Sequence, residues 1–544
     1  MRLWKRLWAL ILAVTMLLSL SGCGLFGRNF DSILRNGGVK FSEMEYSRPD
    51  IEEMRSCVNG IYDLLDNNGS YNDVTAALDE YYELYWSFDT MQTLASIRSD
   101  LDTTDEYYAG EYEYCSNLSV EVDNLFDELM TACADSDLGE RLDEKYFGGL
   151  LAERYSGALP DDLDALYKLY EEENRLLNEY RSCMFDFYAE DDLDAAYAEY
   201  NPEACQIYID LVKVRNEIAR TMGCDSYEEL AYADFGREYT PDDLKDYLAA
   251  VKEYILPLLF KAQENGIIDK AFESVYTSSP EDSLEVVKQT VKVMDDTFYQ
   301  AMSFMLGSEL YDISQSRTKY DDSYVDYIED YSSPFLFINP TGYEDDILTI
   351  SHEFGHFTDS YVNYDMDMNL DTSETMSQGL EYLMLCYIED EELRRDLTVY
   401  KMSDVLYLYA NQCCFNEFEH RVYSLPENEL TVSRVNGIYA ELAKEYGFGD
   451  DYGDNLGKSW IDITHFFEYP FYVISYCISD SAAFGFYAME QEQAGSGLEA
   501  YLNVLNSAAD YDFLALLEDK GIDSPITADT IKTIAETVAE ALGL

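Results

Sequence analysis

Chain breakers are scarce in this sequence. Its 544 residues include only 11 Pro and 29 Gly, the residues that end helices and permit tight turns. So few breaks exclude an architecture of many short strands and favour long helices, and the expected fold class is mainly α. Pro followed by acids repeatedly marks a helix start, as in Leu159-Pro160-Asp161-Asp162, Asn201-Pro202-Glu203 and Thr240-Pro241-Asp242-Asp243. Pro fits the first helical position, and carboxylates favour the positive end of the helix dipole. After Asp243, residues Leu244, Tyr247, Leu248, Val251, Tyr254, Ile255 and Leu258 recur at helical spacing. That predicts one amphipathic helix, kinked at Pro257. From Arg48 to Tyr200 the pattern is helical almost throughout. The one strand candidate is Ser333–Asn339, bounded by Pro334 and Pro340, and Asp345 and Asp346 lead into a further helix.

Against 36 Lys and Arg stand 108 Asp and Glu, a formal net charge of −72. Nucleic-acid binding is excluded, because phosphate contacts need a basic face. The acidity is not disorder: 49 Tyr and 26 Phe supply the core material that disordered acidic chains lack. A solvated acidic face keeps such a protein soluble, and a weaker reading is that it attracts cationic peptides.

Arg2, Lys5 and Arg6 precede the apolar run Leu7–Leu20. This is the layout of a secretory signal, and the run is short of the roughly 20 apolar residues of a membrane span. It ends Leu20-Ser21-Gly22-Cys23, which resembles a bacterial lipobox. Residues 1–22 are therefore expected to be a lipoprotein signal peptide, with Cys23 lipidated and residues 23–45 a tether. The protein would then be exported and anchored to the outer face of the bacterial cytoplasmic membrane. An ordinary secretory signal is the alternative. The other ten Cys form no C-x-x-C pair. Cys386 and Cys477 sit in apolar helical runs as small buried hydrophobes. Disulfides and an oxygen-free habitat both remain compatible with this usage.

The chain has four His, and two of them fall in His352-Glu353-Phe354-Gly355-His356. Four residues apart on a helix, both imidazoles face one metal ion, and Glu353 is placed to take a proton from a metal-bound water. A catalytic zinc keeps three protein ligands and an open position. No third His follows at a suitable spacing, so a downstream carboxylate is the natural candidate. Glu374 opens an apolar helix 22 residues after His352, and Glu381 lies on the same face, where it could orient a ligand. Asp359 is a weaker candidate for that orienting role. His420, in Phe418-Glu419-His420-Arg421, reads as structural or as one half of a Glu/His pair.

Ile350-Ser351-His352-Glu353-Phe354-Gly355-His356-Phe357, followed by Glu374-Thr375-Met376-Ser377-Gln378 and Glu381, resembles the oligoendopeptidase F / thimet oligopeptidase family of zinc metallopeptidases, which carries H-E-F-G-H and then E-x-x-S-Q-x-x-E. The resemblance covers roughly residues 200–500. It implies one zinc ion per chain on His352, His356 and Glu374, with Glu353 as general base. It further implies a two-lobed helical metallopeptidase with a deep central channel and a small β-sheet beside the zinc helix. Residues 46–200 would form the N-terminal helical lobe and 201–544 the catalytic domain. The family's C-terminal His and Tyr, which donate hydrogen bonds to substrate and oxyanion, correspond to His465 and to one or more of Tyr469, Tyr472 and Tyr476. The Tyr spacing departs slightly from the family's, which leaves those three open. Tyr472 and Tyr476 are preferred, since they share a face if Pro470 starts the helix. Phe335–Asn339 resembles the family's edge strand, which offers its backbone to an extended peptide. The implied activity is endopeptidase hydrolysis of short oligopeptides by a monomer. The alternatives are a peptide-binding lipoprotein of an import system and a carboxypeptidase-like exopeptidase on the same scaffold.

Overall fold

A computed structural model describes residues 38–544, apart from 147–150, 152–162, 191, 274, 365–368, 449–452 and 508–511. The signal-peptide and Cys23 readings, and the helix start read at Leu159-Pro160-Asp161-Asp162, lie outside the described residues. The described chain is mainly helical with one three-stranded sheet. Side-chain caps begin many of the helices. Ser70 accepts from the Asp73 amide, Asp105 from those of Tyr107 and Tyr108, and Ser279 from that of Asp282, with Pro280 in the first turn.

One proline expectation changes here. The stretch Asn201-Pro202-Glu203 does not start a helix, because helix Leu193–Met222 runs through it from a cap at Asp192. The ring of Pro202 denies a hydrogen bond to the Ala198 carbonyl, but both residues are exposed, so that carbonyl is not sealed away from solvent. Just before Pro257 the helix widens. A π turn, Val251–Ile255, joins Lys245–Ala250 to Leu256–Glu264, and the Leu256 amide reaches back to the Val251 carbonyl. The wider turn makes room for the proline ring.

The sheet also differs from expectation. β1 (Tyr311–Asp312), β2 (Ser323–Ile328) and β3 (Ser333–Ile338) lie in the order β1-β3-β2. The predicted strand is thus central rather than an edge. It pairs parallel with β1 and antiparallel with β2, in the register Tyr324↔Phe337. Two sequence neighbours with little strand signal, including β2 with its interior Asp326, close over it. All six β3 residues are buried.

The apolar interior has two parts. The smaller draws on Ile51 to Leu151, and the larger on Met44, Leu94, Ile97 and residues from Leu176 to Leu542. Helix Tyr71–Leu101 contributes to both, with Val74 to Phe88 in one and Leu94 and Ile97 in the other. Residues 41–44 also dock on the body: Phe41 packs on Phe335 at 4.3 Å and Met44 is buried. Helices Leu163–Tyr188 and Leu193–Met222 grip the segment around His465. Tyr180 stacks on Phe467 at 3.6 Å, Tyr197 bonds Asp462 at 2.5 Å, and Arg215 donates to the Phe466 and Phe467 carbonyls. The ten described cysteines are free thiols, seven of them buried, Cys477 included, and Cys386 half-buried. No described helix is long and apolar enough to cross a membrane.

Candidate metal centre

Four helices converge on one point. The motif helix (Asp346–Asn363) carries His352, Glu353 and His356, and the next helix (Leu370–Tyr387) carries Glu374 and Glu381. The long helix Glu391–Tyr423 supplies Lys401, and Ile474–Glu492 supplies Tyr476. Asp346 anchors the start of the motif helix by accepting the amides of Thr341, Gly342 and Tyr343.

The Nε2 atoms of His352 and His356 lie 3.6 and 3.8 Å from Glu374 Oε2. All three donor atoms fall within 4.8 Å of one another. Bonds of about 2.0–2.2 Å at a tetrahedral angle set such donors roughly 3.3–3.5 Å apart, so the three fit one metal ion. The orientation fits as well. Glu381 Oε1 holds His352 Nδ1 at 2.8 Å, and His352 Nε2 is a buried atom with no hydrogen-bond partner. A carboxylate on Nδ1 selects the tautomer whose Nε2 lone pair faces the ion. Ser373 Oγ lies 3.3 Å from His356 Nδ1, and Ser377 Oγ donates to Glu374 Oε2 at 3.2 Å.

Lys401, which the sequence reading missed, is buried and donates to Glu381 Oε2 at 2.7 Å. Burial works against a charged Glu381, but Lys401 and His352 outweigh it and hold its carboxyl below the ordinary range. His352 titrates at about 9, because Glu381, Glu353 and Glu374 overcome the burial that disfavours its cation. Burial and the neighbouring His352 push His356 well down. A cation in the site takes the place of the His352 proton.

Glu353 is 2% exposed, and its carboxyl is pushed up to about 8, mainly by burial, with Glu374 and Glu381 adding to the shift against His352. It lines a cavity of about 830 Å³ whose wall includes Ile338–Thr341, His352, Gln378 and Tyr476. Asp322, a second residue that sequence reading missed, borders the same cavity, its carboxyl raised to about 9 by burial and by Glu353. Nothing in Tyr320-Asp321-Asp322 distinguishes it from the other acids of the chain.

His465, Tyr472 and Tyr476 come together beside the donors. His465 Nε2 is 3.4 Å from the Tyr476 hydroxyl, and the Tyr472 ring lies 5.7 Å from His465 and 5.2 Å from Tyr476. Burial drops His465 to about 4, so its imidazole is neutral near pH 7. The Glu374 charge reaches both Tyr472 and Tyr476, whereas Tyr469 faces Glu468 and Arg181. The expectation of a helix starting at Pro470 fails. The helix begins at Ile474, because Phe471 takes a left-handed conformation (φ 66°) and breaks the run. The two tyrosines still meet, one from a loop and one from a helix. Asp359 accepts from the Asn363 amide. His420 Nδ1 pairs with Glu228 at 2.9 Å, a Glu/His pair whose partner the sequence did not indicate.

Residues 41–153 match the model of the peptidase M3 N-terminal domain, and residues 267–536 match that of peptidase family M3. The chain belongs to peptidase family M3. It is 24% identical over 298 residues to the chromosomal oligoendopeptidase F of Lactococcus lactis subsp. cremoris, covering 50% of this chain and 49% of that one. It is 25% identical over 206 residues to the oligopeptidase PepF of Bacillus subtilis, covering 35% and 30%. The aligned stretches thus span half or less of these curated relatives. In fold it matches PZ peptidase A, solved with an inhibitor, at a TM-score of 0.76, with 23% identity and 93% and 99% of the two chains covered. The oligoendopeptidase F of Enterococcus faecium matches at 0.56, with 17% identity and 90% and 96% covered.

In this M3 chain Gly355 has a steric role. A Cβ there would sit 2.6 Å from Ser377 Cα and 2.9 Å from the Met376 carbonyl, both backbone atoms. The motif helix and the Glu374 helix can approach closely enough to share three donors only because residue 355 has no side chain. Gly355→Ala should therefore lower stability by about 1–3 kcal/mol, the usual range for overpacking, and weaken metal binding. Thermal unfolding with and without added metal checks both effects.

Proposed function

We propose that the chain is a zinc-dependent endopeptidase that hydrolyses short oligopeptides. The observation that carries this is the convergence of His352, His356 and Glu374 beside Glu353 at the wall of the cavity. Zinc held by those three residues supplies Lewis-acid activation of the attacking water and the scissile carbonyl. Glu353, a buried carboxyl raised towards neutrality, accepts the water's proton and returns it to the leaving amine. Neutral His465 and the hydroxyls of Tyr476 and Tyr472 donate hydrogen bonds to substrate and oxyanion. Glu381, backed by Lys401, fixes the His352 ring. A cavity of about 830 Å³ admits a few residues of an extended peptide and excludes a folded protein. The names of the curated relatives, an oligopeptidase and an oligoendopeptidase, support the same substrate class. The proposal extends to export and anchoring through Cys23, supported by the basic and apolar segments before it.

A peptide-binding protein of an import system would need no proton acceptor between its two His, and Glu353 occupies that place. An end-blocked, quenched fluorescent oligopeptide tests the proposal against both alternatives. Internal cleavage abolished by a zinc chelator and restored by zinc is the expected result. Chelator-insensitive binding without cleavage, or cleavage of free-ended peptides alone, would contradict it.

A further inference from the structure

Phe471 is a bulky residue in the left-handed backbone region, with φ 66° and a fully buried ring. Such a conformation persists in a non-glycine residue only where its surroundings impose it. Two side chains hold the backbone of this residue, one at its amide and one at its carbonyl. On the long helix, Glu419, with no exposure, accepts the Phe471 amide on its two carboxyl oxygens at 3.0 and 3.1 Å. Arg237 Nη2 donates to the Phe471 carbonyl at 2.8 Å, the Tyr472 carbonyl at 3.3 Å and Ser475 Oγ at 2.8 Å. The guanidinium is itself fixed over the rings of Tyr232 and Phe235, at 4.4 and 4.8 Å. Phe235 in turn packs edge-on against Tyr472 at 5.8 Å.

What this grip holds is the turn that delivers two candidate oxyanion donors. Tyr472 directly follows Phe471, and Tyr476 sits in the first turn of the helix that begins at Ile474. Neither Arg237 nor Glu419 borders the cavity. We propose that Arg237 and Glu419 are positioning residues, which lock Phe471 in its left-handed state and so aim Tyr472 and Tyr476 at the oxyanion. This rests on the metallopeptidase reading above. The grip explains why a strained phenylalanine stands where glycine would be free of penalty: the ring fills a pocket of Tyr227, Tyr232 and Tyr423 while the backbone is held by the Glu419 carboxyl and the Arg237 guanidinium.

A mutant cycle on folded, zinc-loaded protein tests the proposal, with an end-blocked peptide as substrate and a phosphinic peptide as oxyanion mimic. Arg237→Met should lower kcat by about 10²-fold, the scale of a mislaid catalytic group, and leave KM nearly unchanged. Affinity for the phosphinic peptide should fall in parallel. In a Tyr472→Phe, Tyr476→Phe background the same substitution should add no further loss. Glu419→Gln, which keeps an oxygen acceptor, should retain most of the activity that Glu419→Ala loses. If Arg237→Met does not fold, Arg237→Lys carries the test, with a smaller loss in the same direction. A folded Arg237 variant with wild-type kcat, or a loss that persists in the double-Phe background, would overturn the proposal. Impaired tyrosine variants beside a fully active Arg237 variant would sink the positioning role alone. Fully active tyrosine variants would sink the donor roles and the positioning role together. Absence of chelator-sensitive cleavage by the wild type would sink the metallopeptidase reading itself.

Discussion

Glu353→Gln should keep its metal and its fold and lose about 10²–10⁴-fold in kcat, the range a positioned general base contributes. The substitution is isosteric and sits one residue from a ligand without being one, so His352, His356 and Glu374 remain free to bind. What disappears is the proton acceptor. The wild-type pH profile should carry the same signature. With its carboxyl pushed up to about 8 in the metal-free protein, Glu353 is protonated and idle at low pH and becomes a base as pH rises. A bound cation favours the carboxylate, so kcat/KM should rise with pH through a pKa below that value and then level off. In Glu353→Gln the rising limb should vanish. Hydrolysis near the wild-type rate by a metal-loaded variant would remove Glu353 from the mechanism.

The second large effect belongs to Glu374. Glu374→Ala removes the one donor that faces both imidazoles, at 3.6 and 3.8 Å, from a position only 1% exposed. Two neutral imidazoles then remain for a divalent cation. Metal affinity should fall by more than the roughly 10–100-fold typical of losing an outer partner, and turnover should fall with it. Glu381→Ala supplies the comparison, since Glu381 holds His352 Nδ1 and would act on an ion only through that ring. Titration with a competing chelator ranks the two, and the expected order of loss is Glu374→Ala above Glu381→Ala. Wild-type affinity should also fall as pH drops, because the proton that His352 binds with a pKa of about 9 competes with the ion. Equal losses for the two variants would mean that Glu374 is not a ligand.

Much of the centre was legible because local spacing fixes it. His352, Glu353 and His356 share one helix, and a period near four residues places their side chains without any tertiary information. Glu374 and Glu381 needed the family pattern, since spacing alone cannot set the angle between two helices. The contact that does set it, Gly355 against the Ser377 backbone, is an absence of side chain that no periodicity shows. Lys401 and Asp322 were invisible for the opposite reason. Each is an ordinary charged residue whose importance comes from elements far away in sequence, and an acid among 108 carries no signal. The strand Ser333–Ile338 was readable, but its central place was not, because strand order depends on two neighbours of weak propensity. Pro202 and Pro470 misled in the same way. A proline permits a helix start, while solvent at Ala198 and strain at Phe471 decide where helices begin.

The central claim is that one zinc ion sits between His352, His356 and Glu374. Anomalous scattering from wild-type crystals, recorded on both sides of the zinc edge alongside metal analysis of the same protein, tests it most directly. The account predicts one zinc per chain, with its peak at bonding distance from both Nε2 atoms and the Glu374 carboxylate. Folded protein with no stoichiometric metal, or a peak elsewhere in the chain, would contradict it.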